Sequence, residues 1–253
     1  MKEGEKHKVN LNQGIRKKVT KAISDYNLIE NGDKILVGLS GGKDSTLLLV
    51  ALSEIRKISP VKFDLAAFTI NIAEGHMDLN PIKKFCADLG IKHESISYPI
   101  IDIIEERNER SPCSLCSKLR NGILIDFATK NGYNKVALGH HLDDVVETAL
   151  LNLFLAGRFK CFPPLSWRSR KKIWVIRPLV YLSEEAIRSE AKRLDFPVMK
   201  WKCPHEDETQ RAKMKHLIAT LEPKFPALKS QVLHALTHVR GTDVWKIEEP
   251  LEK

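Results

Sequence analysis

No stretch of the chain constrains the fold more than residues 35–49. A short apolar run, Ile35–Leu39, ends at the polar turn Ser-Gly-Gly-Lys-Asp-Ser, and a second apolar run then continues at helical spacing through Ile55. The first run is typical of a buried strand and the second of a helix. Free backbone N–H groups and the positive end of the helix dipole favour an anion where such a helix begins.

The residue types of this turn suit a phosphate. The two adjacent glycines have no Cβ, so the backbone can come close to the anion, while the serines add hydroxyl donors and the lysine adds a positive charge. A carboxylate beside a phosphate needs a cation between them, and we expect Asp44 to share Mg²⁺ with the ligand. An ordinary glycine-rich turn is the alternative. The predicted phosphate-binding residues are Ser40, Gly41, Gly42, Lys43, Asp44 and Ser45.

The rest of the chain alternates between strand and helix patterns. Further strands are predicted over 63–72, 92–98, 135–138 and 173–176, and further helices over 11–28, 77–89, 114–129, 142–156 and 183–194. This alternation predicts an α/β fold, a Rossmann-like parallel sheet with helices on both faces. Ligands bind such sheets at the carboxyl ends of the strands, so residues 68–71 are expected beside the nucleotide base. A charged stretch, 105–110, is expected to be irregular.

Three parts are predicted along the chain. Residues 1–30 form a basic N-terminal helix, residues 31–182 form the nucleotide-binding core, and residues 183–253 form a basic helical extension. Two amphipathic helices, over 206–221 and 226–238, belong to this extension.

The charge of the chain points to a large polyanion as partner. The net charge is +9, and it is concentrated in residues 1–21, at +5, and residues 158–240, at +10. Such basic regions are typical of nucleic-acid binding, although a soluble lysine-rich surface has the same composition. The start of the chain is polar and basic, which is not the pattern of a signal peptide, and no apolar run is long enough to span a membrane. We therefore expect a cytoplasmic protein with no membrane partner.

Five cysteines, an odd number, favour a reducing compartment and a metal or catalytic role over disulfides. Cys113 and Cys116 are three residues apart, so two thiolates can face one centre. Cys203, in a polar turn, is a third candidate ligand. Cys86 lies at an apolar helix position and is expected in the core, while Cys161 is ambiguous. An iron–sulfur cluster, a zinc site and a redox dithiol all remain open from this spacing.

Several motifs together resemble one family. They are Ser-Gly-Gly-Lys-Asp-Ser at 40–45, Cys-Ser-Leu-Cys-Ser-Lys-Leu-Arg at 113–120, Leu-Gly-His-His-Leu-Asp-Asp at 138–144, Phe-Pro-Pro at 162–164, Arg-Pro-Leu at 177–179, and Cys203 followed by Gln210-Arg211. Over about residues 12–240 the sequence is similar to the tRNA 2-thiocytidine synthetases, which are PP-loop ATP pyrophosphatases and tRNA thiolases. Two positions depart from that pattern: Lys200 stands where many members have a cysteine, and Leu142 where members often have arginine.

The resemblance implies an ATP-dependent tRNA sulfurtransferase of the adenine nucleotide α-hydrolase-like fold. It implies ATP and Mg²⁺ at the turn, and a [4Fe-4S] cluster on Cys113, Cys116 and Cys203 whose open iron holds sulfide. The substrate it implies is tRNA, with cytidine 32 as the usual target. Its C2 oxygen would be adenylated and then replaced by sulfur.

The expected site residues follow from these motifs. Lys43, Asp44, Arg120 and Asp144 are the predicted catalytic residues, and Asp144 is expected to hold Mg²⁺ or to act as a base. The predicted nucleotide contacts beyond the turn are Gly139 and His140. Asp143 is expected only to cap its helix.

Other enzymes and partners remain open at this stage. A related PP-loop thiolase that makes 2-thiouridine, an adenylating enzyme for a small molecule, and a non-catalytic nucleotide sensor are the alternatives. The expected partners are tRNA and a sulfur donor such as a cysteine desulfurase, and the sequence is compatible with a homodimer.

Overall fold

The computed structural model describes residues 10–72, 77–109, 111–199 and 209–240. Six strands form one sheet: β1 Asp33–Gly38, β2 Phe63–Asn71, β3 Lys92–Ser97, β4 Lys135–Ala137, β5 Leu165–Arg168 and β6 Ile173–Ile176. The helices within the described ranges are α1 Gln13–Asp25, α2 Lys43–Ile58, α3 Asn80–Asp88, α4 Ile100–Glu106, α5 Pro112–Lys130, α6 Leu142–Ala156, α7 Glu184–Arg193, α8 Gln210–Leu221 and α9 Leu228–Thr237.

The strand order in the sheet is β3-β2-β1-β4-β6-β5. All neighbouring strands are parallel except β5, which pairs antiparallel with β6 at the edge. The order reverses direction at β1, so the loop after β1 and the loop after β4 leave neighbouring strands on the same edge. Ligands of open α/β sheets bind at such a switch point. The predicted Rossmann-like sheet is confirmed, with an antiparallel edge strand added to it.

Alternating residues of β1 lie in two separate cores, one on each face of the sheet. Ile35 and Val37 pack with α1, α2 and α3, whereas Leu36 packs with Phe68 and the helices α4 and α5. Phe68 stacks on Phe127 of α5 with ring centroids 3.9 Å apart. Burial on both faces explains why the central strands are continuous apolar runs.

Two local predictions about helices are wrong. Glu105 and Glu106 end the helix α4 instead of lying in an irregular stretch, because Ile100, Ile101 and Ile104 give this segment a buried face. Helix α3 begins at Asn80 instead of residue 77, and Pro81 lies in its first turn, where a missing N–H costs nothing.

The C-terminal helices lie against α6. Val146 of α6 forms a small core with Met214 and Ile218 of α8, and Val232 of α9 packs against it. This packing fixes the beginning of α8 beside the loop after β4. Within the described ranges, no helix is both long enough and apolar enough to cross a membrane.

Candidate functional site

The turn after β1 is held in a compact shape by its own side chains. The Ser45 hydroxyl lies 3.1 Å from the Gly42 carbonyl oxygen and accepts from the Ser40 backbone N–H at 3.1 Å. Gly41 has a φ of +80°, which disfavours any side chain, and a Cβ there would overlap with Met199. The Met199 N–H donates to the Gly41 carbonyl at 3.0 Å. The turn that leads into α2 therefore has a fixed conformation.

The loop after β4 packs directly on this turn. A Cβ on Gly139 would lie 3.0 Å from both the carbonyl carbon of Asp44 and the backbone nitrogen of Ser45. This is closer than ordinary van der Waals contact, so only glycine lets the two backbones meet here. The close approach brings the beginning of α6 next to the beginning of α2.

Carboxylates from both helices surround His141, which is buried. Its Nε2 lies 3.7 Å from Oδ1 of Asp44 and 3.5 Å from Oδ2 of Asp144. Asp144 also accepts from the His141 backbone N–H at 2.9 Å, which caps α6. Oδ1 of Asp44 is buried and has no hydrogen-bond partner among the described residues, although the Lys43 ammonium lies 3.2 Å from it. Buried carboxylate oxygens pair with cations or coordinate metals.

Asp143 does not cap its own helix, so that prediction is wrong. Its Oδ2 accepts from the Glu184 backbone N–H at 2.6 Å, and its Oδ1 lies 2.7 Å from the ammonium of Lys229. The Asp143 carboxylate therefore links the N-termini of α6 and α7 and holds α9 against both. The cap of α6 comes from the neighbouring Asp144.

One carboxylate, Glu184, connects the turn with α8. Lys43 lies 3.2 Å from Glu184 and 3.2 Å from Asp44, and Lys215 lies 2.6 Å from Glu184. Burial lowers the pKa of Lys43, but the two carboxylates outweigh burial and raise it. Burial raises the pKa of Glu184, but the hydrogen bond from Lys215 and the charge of Lys43 lower it to about 2. Lys43 and Glu184 therefore both stay charged at physiological pH.

A second ion-pair group contains Arg211, at the beginning of α8. Its Nε lies 3.1 Å from Glu147, one terminal nitrogen lies 3.6 Å from Asp144, and the other donates to Thr148 at 3.1 Å. Burial raises the pKa of Glu147 to about 7, although the charge of Arg211 opposes this shift. Burial likewise lowers the pKa of His140 to about 4, so its imidazole is neutral at physiological pH.

The turn and the two ion-pair groups border one cavity of about 820 Å³ at the carboxyl edge of the sheet. Their residues on its wall are Ser40, Lys43, Asp44, Ser45, His140, His141, Asp144, Glu147, Glu184, Arg211 and Lys215. The first turns of α5 bring Cys113, Cys116 and Arg120 to its wall, on one helix face. Cys113 is exposed and Cys116 is half-buried. The apolar side of the cavity contains Phe68, from the region expected beside the nucleotide base. The cavity is thus bordered both by a turn of the kind that binds phosphate and by a pair of thiols.

Comparison with known proteins gives one consistent result. The sequence matches the PP-loop domain family over residues 11–220. A tRNA-cytidine(32) 2-sulfurtransferase of Geobacter metallireducens is 42% identical over 230 residues, or 89% of this chain and 90% of that protein. The enzyme of the same name from Bdellovibrio bacteriovorus is 37% identical over 238 residues, or 91% and 92%. The chain belongs to the tRNA-cytidine(32) 2-sulfurtransferase family of PP-loop proteins.

A solved thiolase has the same fold as this PP-loop protein. The U34-tRNA thiolase NcsA from Methanococcus maripaludis, solved with its [4Fe-4S] cluster, aligns with a TM-score of 0.72 and 26% identity. The alignment covers 90% of this chain and 80% of that chain. The predicted fold class, family and enzyme class are confirmed.

Most residues predicted from the PP-loop and cysteine motifs meet at the cavity. Those on its wall are Ser40, Lys43, Asp44, Ser45, Cys113, Cys116, Arg120, Gly139, His140 and Asp144. Gly41 and Gly42 form the adjoining backbone, and Cys203 lies outside the described residues. Their individual roles stay predictions.

Five other ionisable residues on the described wall of the PP-loop site are given no role by the sequence, although His141 and Arg211 lie within its motifs. They are His141, Glu147, Glu184, Arg211 and Lys215. Helical spacing carried a signal for some of them: Glu147 is three residues beyond Asp144 on α6, and Lys215 is one turn beyond Arg211 on α8. Glu184 follows Ser183, whose predicted role as the cap of α7 is confirmed by its bond to the Ala186 N–H at 3.3 Å.

Proposed function

We propose that this chain is a tRNA-cytidine 2-sulfurtransferase that uses ATP to activate the C2 oxygen of a tRNA cytidine, at position 32, and replaces it with sulfur. The observation that carries this proposal is the shared cavity, which is bordered by the PP-loop turn and by Cys113 and Cys116. The family relatives named above support the choice of tRNA cytidine.

The PP-loop turn is the proposed ATP site. The backbone of Gly41 and Gly42, the hydroxyls of Ser40 and Ser45 and the ammonium of Lys43 surround the place where the phosphates would bind. No group of three His, Cys, Asp or Glu side chains in the described ranges is arranged to hold a metal ion. Mg²⁺ needs only one or two carboxylates when phosphates and water complete its shell. Oδ1 of Asp44, which is buried and accepts no hydrogen bond from the described residues, fits that requirement, and Asp144 is the second candidate.

In the activation step, the cytidine O2 attacks the α-phosphorus of ATP, forming a new O–P bond. The bond between the α-phosphorus and the bridging oxygen breaks, and pyrophosphate leaves with the electron pair. Lys43 offsets the charge that develops on the leaving group. Arg120, on the same wall as the two thiols, would hold a phosphate or the substrate, and neutral His140 would contact the nucleotide.

Thiolates are the ligands that iron–sulfur clusters use, and two of them reach the cavity from one face of α5. Cys113, Cys116 and Cys203 would hold a [4Fe-4S] cluster, which supplies the sulfide that replaces AMP on the activated base. The exposure of Cys113 leaves room for a cluster at the cavity wall. Cys86 is buried in the core, and burial raises its pKa to about 12, so it is no ligand candidate.

The proposed RNA contacts lie on basic surfaces. The outer face of α1 exposes Lys17, Lys18 and Lys21, and α8 adds Arg211 and Lys215 at the cavity. Phosphate contacts of this kind position an RNA without reading its sequence. A target base in a folded loop must turn out of its stack to enter the cavity. A sulfur donor such as a cysteine desulfurase, a homodimer and a cytoplasmic location complete the proposal.

An anaerobic preparation tests the cluster. We expect a broad absorption band near the visible region, with about four iron and four sulfide per chain. Cys113→Ser and Cys116→Ser should lose the band and the iron together. Cys161→Ser is the matched control and should keep both. A colourless anaerobic protein with ATP-dependent activity would contradict the cluster and favour an adenylating enzyme for a small molecule.

A second candidate is a tRNA thiolase that makes 2-thiouridine. The structural likeness to NcsA favours it, because that protein is a U34-tRNA thiolase. The higher identity to the cytidine enzymes favours cytidine instead. The thiolated nucleoside itself distinguishes the two.

A further inference from the structure

Glu184 is the carboxylate at which three cations converge, and no motif of the sequence marks it. Its carboxylate lies 3.2 Å from Lys43, 2.6 Å from Lys215 and 3.1 Å from Arg188. The side chain is only 14% exposed, whereas that of Arg188 is 66% exposed. The two lysines, one from α2 and one from α8, are therefore its partners at the cavity.

The backbone holds Glu184 firmly in place. It is the first residue of α7, after the Ser183 cap, and its N–H donates to Asp143 at 2.6 Å. Asp143 is itself fixed by Lys229 of α9. Because the main chain at this position is anchored from α6, the carboxylate can follow a lysine only by changing its own side-chain rotamer.

A fixed, largely buried carboxylate makes its two lysines interdependent. Leaving such a charge without a partner is costly, so Glu184 holds one lysine more strongly when the other is removed. If phosphate draws Lys43 away, Lys215 becomes the main partner of Glu184. If an anion draws Lys215 away, Glu184 keeps Lys43 and competes with phosphate for it.

We propose that Glu184 is a positioning residue of the phosphate site, which couples Lys43 at the turn to Lys215 on α8 so that anions at the two lysines oppose each other. The anion at α8 would be a phosphate of the RNA backbone. This inference rests on the proposed function only in taking ATP as the ligand of the turn. It assigns no chemical step to Glu184.

The coupling has a measurable sign in ATP affinity. We would titrate the full chain with α,β-methylene-ATP and Mg²⁺ in a calorimeter, in the absence of tRNA. Glu184→Gln removes one of the two carboxylates that compete with phosphate for Lys43 and should tighten binding at least threefold. Lys215→Gln should weaken binding at least threefold, because Lys43 is then the one remaining partner of Glu184 at the cavity.

Double substitutions show whether each effect passes through the shared carboxylate. In a Lys43→Gln background, Glu184→Gln should change the ATP affinity less than twofold. In a Glu184→Gln background, Lys215→Gln should also change it less than twofold. Such non-additivity is the signature of residues that act through one another. The matched controls are Glu185→Gln, an exposed acid of the same helix turn, and Lys213→Gln on α8, which should leave ATP affinity unchanged.

Two results would overturn the coupling: an unchanged or weaker affinity in Glu184→Gln, or effects that persist undiminished in the double variants. Glu184→Asp keeps the charge on a shorter side chain and should tighten ATP binding by a smaller factor than Glu184→Gln. This second variant tests the coupling if the Glu184→Gln protein folds poorly. If the unsubstituted chain binds no ATP analogue, both the coupling and the proposed function are wrong. Normal binding with additive substitutions removes only the coupling.

Discussion

The backbone of Gly139 contacts the backbone of Asp44, and a Cβ added to Gly139 would lie 3.0 Å from the carbonyl carbon of Asp44. The neighbouring atoms are main-chain atoms at the start of α2, and they cannot rotate away as a side chain would. Gly139→Ala should therefore push α6 from α2, with a loss of about 1–3 kcal/mol in the free energy of unfolding and weaker ATP binding. Urea unfolding and ATP titration measure the two effects.

Gly122→Ala is the matched control for that substitution. Gly122 lies within α5, and a Cβ there would meet nothing within 4 Å. Alanine is the better helix former by about 1 kcal/mol, so this variant should be slightly more stable. Equal destabilisation of both variants would contradict the proposed contact between the two loops.

Asp44→Asn should abolish pyrophosphate release without removing the cluster or tRNA binding. The amide keeps the shape of the side chain but loses the charge that would hold Mg²⁺ against the phosphates. Pyrophosphate release, iron content and tRNA affinity would be measured on one preparation. Activity within a few-fold of the unsubstituted enzyme would remove Asp44 from the mechanism.

Glu147 makes the stability of the fold depend on pH. Burial raises the pKa of this carboxyl from 4.5 to about 7, so its ionisation costs more in the folded chain than in the unfolded chain. Its contribution to stability is full below about pH 4.5 and is lost as the pH rises through about 7. Glu147→Gln should therefore stabilise the protein by at most about 3 kcal/mol at pH 8 and by much less at pH 5.

Urea unfolding at these two pH values tests the expectation for Glu147. Glu105→Gln, at an exposed position of α4, is the control and should show no such difference. A Glu147→Gln protein that is less stable than the unsubstituted chain at pH 8 would show that the ion pair with Arg211 outweighs burial.

The outer face of α1 should contribute to tRNA affinity through phosphate contacts. Each such contact adds about 0.7–0.9 to the slope of log affinity against log salt. Replacing Lys17 and Lys18 together with glutamine should weaken tRNA binding at low salt and reduce that slope by at least about 0.7. The same change at Lys83 and Lys84 of α3 is the control, and an identical loss there would mean that only total charge matters.

Local sequence patterns were sufficient for the five parallel strands of the sheet and for the turn after β1, but not for the antiparallel edge strand β5. The run before Ser40, the adjacent glycines and the apolar spacing beyond Ser45 each depend on a few neighbouring residues, and the structure follows them. Helix α4 was missed because its buried face, Ile100, Ile101 and Ile104, is short and adjoins a charged run.

Long-range contacts decided the parts of the site that the sequence did not predict. Glu184 and Lys215 are 31 residues apart, and Arg211 reaches Glu147 across 64 residues. The position of Asp143 near a helix start predicts a cap of α6, but its partner is the N–H of Glu184 on another helix. Helix propensity and residue spacing do not indicate which helices pack against each other.

The nucleoside that the protein makes decides whether it is a tRNA-cytidine 2-sulfurtransferase. The anaerobically prepared protein would be incubated with unmodified tRNA, ATP, Mg²⁺ and sulfide, and the digested tRNA analysed by mass spectrometry. We expect 2-thiocytidine, located at position 32, only when ATP is present and not with Asp44→Asn or Cys113→Ser. The appearance of 2-thiouridine, or of no thiolated nucleoside with cluster and ATP both bound, would contradict this expectation.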